Sequence, residues 1–224
     1  MAIIPVAIVV LYLLLGGNET PKDNRSADTG STTTPSISKT KSSATKSSAT
    51  KSSALADIES SQSGESLQQF EADFEVIYTY ITDRYPTVEY EEARRIAQAI
   101  VDYSRTYSVD PKLIAALIAR ESGFNRYAVS ATSARGLGQI KDFNYEALGI
   151  TDPFDIRQNV SGTVAYFTQM RKNWAGHAEV NTMALASYYQ GYSSVRASRR
   201  LARKTRAYVR DILREYKYLK RQLA

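Results

Sequence analysis

The chain has no cysteine and a single histidine, His177, among 224 residues. Without thiols it can build no disulfide scaffold, thiolate metal site, cysteine nucleophile or lipidated N-terminal cysteine, while its compartment stays open. One imidazole cannot assemble a zinc site of the usual kind, and His177 reads as a loop residue beside Gly176. Convincing apolar–polar alternation is also missing, so no strand is expected and the fold class reads as all-α. Long hydrophobic runs are scarce as well, with one at the N-terminus.

That run, MAIIPVAIVVLYLLLGG over residues 1–17, is apolar or nearly so as far as Leu15. It is shorter than the roughly 20 residues that span a bilayer core. No Lys or Arg precedes it and no A-x-A site follows directly, which favours a retained membrane anchor over a cleaved signal peptide. An apolar tail buried in a larger assembly is the third reading. Lys22 and Arg25 stand against Glu19, Asp23 and Asp28, so the flanking charges hardly bias its orientation.

Residues 18–69 are rich in Ser, Thr, Ala and Lys and contain the repeat KSSATKSSATKSSA from Lys41 to Ala54. Few large apolar side chains are present to offset the entropy of ordering, so a flexible linker is expected. The hydroxyls compete for backbone groups and the pattern offers no apolar face, which argues against a helix. Residues 70–224 remain as one globular domain. Charge is uneven: residues 70–195 hold 12 basic and 15 acidic side chains, whereas 196–224 hold 11 basic and two acidic.

Helical spacing places Phe74, Ile77, Tyr78 and Ile81 on one face of a segment 70–85, and Ala93, Ile96, Ala97, Ile100 and Val101 on one face of 92–107. Asp110 followed by Pro111 is a strong helix start, leading through KLIAALIARES to Gly123. Asp155 caps a further helix through Met170, another covers about 180–189, and the last runs from about Ser198 to the end.

Glu121 therefore sits in the last turn of a short helix whose preceding face is Leu113, Ile114, Leu117 and Ile118. The negative end of the helix dipole and partial burial both disfavour its charge, and would let it keep a proton near neutrality. The competing reading is a surface ion pair with Arg120, Arg126 or Arg135.

The stretch ESGFN at 121–125, then Ala128-x-Ser130, then ARGLGQ at 134–139 resembles the Glu-Ser and Gly-Leu-Met-Gln motifs of the lytic transglycosylase family, whose domain is related to goose-type lysozyme. Asp152-Pro153-Phe154-Asp155 to Asn159-Val160 looks like the segment leading into that family's next helix. Ala186-Ser187-Tyr188-Tyr189-Gln190-Gly191 resembles its Ala-Tyr-Asn-x-Gly motif. Gly138 stands where the family usually has Met, Ser133 where it often has Gly, and Tyr189 where it usually has Asn. The resemblance implies a lysozyme-like helical domain with Glu121 as the catalytic acid and Ser130, Gln139, Tyr188 and Tyr189 binding substrate. It implies no metal and no cofactor.

The activity so implied is cleavage of the MurNAc–GlcNAc bond of peptidoglycan without water, leaving 1,6-anhydroMurNAc ends. Ordinary glycoside hydrolysis uses two carboxyl groups, and here the second is hard to find. Asp142 and Asp155 stand where helix caps are expected, Asp152 precedes a Pro in a turn, and Glu146 falls on an exposed face. A lysozyme-like hydrolase and a non-catalytic wall-binding or scaffold protein are the alternatives. The partners expected are glycan strands, a membrane through residues 1–17, and a larger secretion or virion assembly, with the domain facing the periplasm or wall. The basic C-terminal segment also fits phosphate binding, but Leu201, Tyr208, Ile212, Leu213 and Tyr216 offer a packing face, and no nucleic acid is expected.

Overall fold

The computed structural model describes residues 68–223. The expectations for the apolar run and for nearly all of the linker lie outside the described residues. Within them the chain forms α1 (68–84), α2 (Tyr90–Thr106), α3 (Pro111–Ser122), α4 (Tyr145–Leu148), α5 (Ile156–Asn173), α6 (Val180–Gln190), α7 (Tyr192–Ala197) and α8 (Arg203–Lys220). Short 3-10 turns occupy Asp142–Asn144 and Arg221–Leu223. No strand occurs among the described residues, and only isolated bridges join Val129 to Arg135 and Arg135 to Ile140. No helix among them is long and apolar enough to cross a membrane.

The central helix is α3. The side chain of Asp110 accepts the Lys112 amide at 2.9 Å and Pro111 fills the first turn, so the helix starts where the sequence indicates. Its residues from Lys112 to Ile118 are all buried, because α2 and α8 both pack against it. Gly123 ends it in the left-handed region at φ 56°, which costs a glycine little. Phe124 follows at φ 61° and is fully buried, its ring set edge-on against Tyr85 at 4.9 Å. Helix α5 packs on α2, and α6 lies against both α5 and α8. Asp155 caps α5 as expected by accepting the Gln158 amide.

Three features depart from the sequence reading. Gln68 and Gln69, assigned to the linker, are helical, and the Gln69 amide donates to Asp73. Asp73 also takes a buried ion pair from Lys112, which ties α1 to α3 and has no local sequence signal. The closing helix starts later than the expected position near Ser198, and a short helix that the sequence reading does not contain, α7, precedes it. Gly191 at φ 86° ends α6, α7 follows, and Ser198 is extended, so the closing helix starts at Arg203. Leu201 consequently packs on the core from the connection, while Thr205, Tyr208, Val209, Ile212 and Leu219 are the buried residues that seat α8. Asp142 caps no α-helix; it lies inside a 3-10 turn and accepts the adjacent Phe143 amide.

Candidate active site

A cleft of about 550 Å³ opens at the C-terminal end of α3. One wall is the loop between α3 and α4, the other is the end of α6, and Glu121 lies between them. All five residues singled out from sequence, Glu121, Ser130, Gln139, Tyr188 and Tyr189, line this cleft. Among the described residues, Glu121 is its sole acidic side chain. The other candidate acids are spent elsewhere: Asp155 on its cap, Asp152 on the Phe154 amide, Asp142 on Phe143, with Glu146 exposed.

Glu121 forms no ion pair with Arg120, Arg126 or Arg135 among the described residues. Burial instead pushes its carboxyl from the ordinary range near 4.5 up to about 7, while a hydrogen bond from Tyr208 and the charge of Arg120 pull the other way. The Tyr208 hydroxyl donates to Glu121 Oε1. Its ring lies under the Arg120 guanidinium, 5.4 Å from the centroid, and stacks on Tyr189 at 4.5 Å with an interplanar angle of 22°. Burial and the Glu121 charge hold the Tyr208 phenol well above its usual range, so it remains a donor. The sequence reading placed Tyr208 on a packing face. Spacing shows which side of a helix a residue occupies, but not where its hydroxyl ends.

The loop wall is braced from within. Ser130 Oγ accepts the Ala134 amide at 3.0 Å and the Thr132 amide at 3.2 Å. Gln139 adopts φ 51°, and its side-chain nitrogen donates to the Ala128 and Gly136 carbonyls, both at 3.0 Å. Gln139 therefore ties its own loop while also lining the cleft. Tyr188 donates to the Gly138 carbonyl at 2.7 Å and sets its ring edge-on against Tyr166, joining the two walls.

Asn159, almost fully buried, accepts the Gly138 amide at 2.8 Å and donates to the Pro153 and Arg135 carbonyls. A Cβ on Gly138 would lie 1.9 Å from Thr163 Oγ1, so the small residue at this position is matched by a branched one on α5. Ser133 adopts φ 64°, a region in which glycine is the unstrained choice. Among the described residues, no three of His, Cys, Asp and Glu are grouped to hold a metal ion.

A sequence profile of the Transglycosylase SLT domain matches residues 98–210. The Membrane-bound lytic murein transglycosylase F of Desulfosudis oleivorans is 32% identical over 146 residues, covering 56% of this chain and 32% of that protein. The Transglycosylase of Enterobacteria phage PRD1 is 35% identical over 88 residues, covering 39% of this chain and 32% of its own length. The 70 kDa soluble lytic transglycosylase of Escherichia coli has a TM-score of 0.49 at 17% identity, over 59% of this chain and 26% of that one. The chain thus spans about a third of the length of the curated relatives it matches. Because the matched profile takes in half of the chain and includes every residue placed around Glu121, the chain belongs to the Transglycosylase SLT domain family.

Proposed function

We propose that the chain is a peptidoglycan lytic transglycosylase that cleaves the MurNAc–GlcNAc bond and leaves 1,6-anhydroMurNAc ends. The observation that carries this reading is one carboxyl group in the cleft, held near pKa 7 by burial, with no second acid lining it among the described residues. Glu121 gives its proton to the glycosidic oxygen as the bond to C1 of MurNAc breaks, and GlcNAc departs with a new hydroxyl. Positive charge develops at C1. The C6 hydroxyl of the same sugar attacks C1, and the Glu121 carboxylate takes the hydroxyl proton, which restores the acid. No water is consumed. An internal hydroxyl is favoured because a well-oriented intramolecular nucleophile has a very high effective molarity.

Tyr208 supports both halves of the cycle, since its hydroxyl can donate to the carboxylate after the proton has left. Ser130 and Gln139 hold the loop wall in shape, and Tyr188 and Tyr189 give the opposite wall its aromatic surface for sugar rings. In the whole chain, the enzyme domain begins with α1 at residue 68. Residues 1–17 hold it at a membrane and the linker before α1 lets it reach the wall or act within a larger assembly. The names of the two relatives, one membrane-bound and one from a phage, support a wall-facing placement.

Digestion of purified peptidoglycan with the full chain tests this reading. Mass spectrometry should find muropeptide ends lighter by one water than reducing ends, and Glu121→Gln should abolish turnover without unfolding. Chiefly reducing ends would make the protein a lysozyme-like hydrolase. Glycan binding without turnover by the parent chain would make it a wall-binding protein.

A further inference from the structure

Lys141 is the sole cation lining the cleft, and it forms no ion pair among the described residues. It lies just beyond Gln139 and Ile140, in extended backbone that starts a 3-10 turn, and its carbonyl accepts the Asn144 amide. Two residues on, Phe143 also lines the cleft with 74% of its surface exposed. Asp142, between them, turns its carboxylate to the Phe143 amide and does not line the cleft.

We infer that Lys141 and Phe143 form a subsite for a carboxylate carried on the substituent of the muramic sugar, the lysine pairing with the anion and the ring packing on the apolar groups beside it. This rests on the proposed transglycosylase reading and adds a preference to it. A glycan strand is uncharged along its sugar backbone, so its anionic groups are the carboxyl groups of the peptide where a muramic sugar carries one and the free lactyl carboxylate where it does not. A cation on the wall at the Glu121 end of α3 can therefore set which sugar enters the bond-breaking position. The pair is solvent-facing, so its contribution is modest and falls as salt is raised.

The test compares three glycans with the full chain: strands with native peptide stems, strands whose stem carboxyl groups are amidated, and strands stripped of stems so that the lactyl carboxylate is free. A stem-carboxylate site predicts that kcat/KM falls about threefold to fivefold on amidation at low salt, a ratio that shrinks at high salt and in Lys141→Gln but persists in Lys141→Arg. A lactyl-carboxylate site predicts no effect of amidation and a preference for stripped strands, again erased in Lys141→Gln. Equal kcat/KM on all three glycans overturns the inference, as does an equal loss on all three in Lys141→Gln. Co-sedimentation of Glu121→Gln full chain with the same glycans reads the preference without turnover. Failure of the parent chain to cleave any of them then counts against the enzymatic reading alone.

Discussion

The Tyr208 hydroxyl donates to a carboxylate oxygen of Glu121, joining α8 to α3 across 87 residues of chain. The bond, together with the charge of Arg120, acts against the burial that raises the Glu121 pKa, and the acid is held at about 7. Burial is the larger, which keeps a proton available near neutrality.

Replacing Tyr208 by Phe removes the larger of the two effects that favour the carboxylate and leaves the charge of Arg120. The Glu121 pKa should rise above about 7, and the alkaline limb of the kcat/KM profile should move up by on the order of one pH unit. A limb that moved down would show that lost packing, with water reaching the acid, outweighs the lost hydrogen bond.

Glu121 should also cost stability at alkaline pH. Its folded-state pKa is raised, so the stability it contributes is fully present below about 4.5 and is lost as pH rises through about 7. Glu121→Gln should be the more stable protein at pH 8, by at most about 3 kcal/mol, with the gap narrowing toward pH 5. Urea unfolding of the two proteins at both pH values measures it.

Gly138 and Thr163 should behave as a coupled pair. Gly138→Ala puts a methyl group 1.9 Å from Thr163 Oγ1 and should destabilise by about 1–3 kcal/mol. Adding Thr163→Ala should recover part of that loss. Simple additivity in the double-mutant cycle would contradict the contact.

Ser133→Gly should stabilise the loop by about 0.5–1 kcal/mol, because φ 64° is unfavourable for any residue with a Cβ. Ser133 is exposed, so little packing is forfeited. Thermal unfolding resolves a gain of that size.

The buried Lys112–Asp73 pair predicts a different asymmetry. Asp73→Leu alone leaves a buried ammonium without its partner and should cost about 3–5 kcal/mol. Adding Lys112→Met should return most of it. An equally unstable double variant would mean that Gln69, the other partner of Asp73, carries more of the attachment of α1 than the ion pair does.

The sequence by itself determined the helices and the position of the acid. Apolar spacing marks α1 and α2, and Asp110 with Pro111 at one end and Gly123 at the other fixes α3, because capping and periodicity act within a few residues. That alone places Glu121 at a helix end beside a loop of small residues. The late start of α8 was not legible, since the basic stretch keeps its helical composition through Ser198, whereas Ser198 is extended and Leu201 packs on the core from the connection. Only the tertiary structure decided that Glu121 is half-buried instead of paired with an arginine, that Tyr208 reaches it, that Thr163 fills the space beside Gly138, and that Lys112 meets Asp73. These relationships join residues 25 to 87 positions apart, and no local pattern records which distant side chain will close on another when the helices pack.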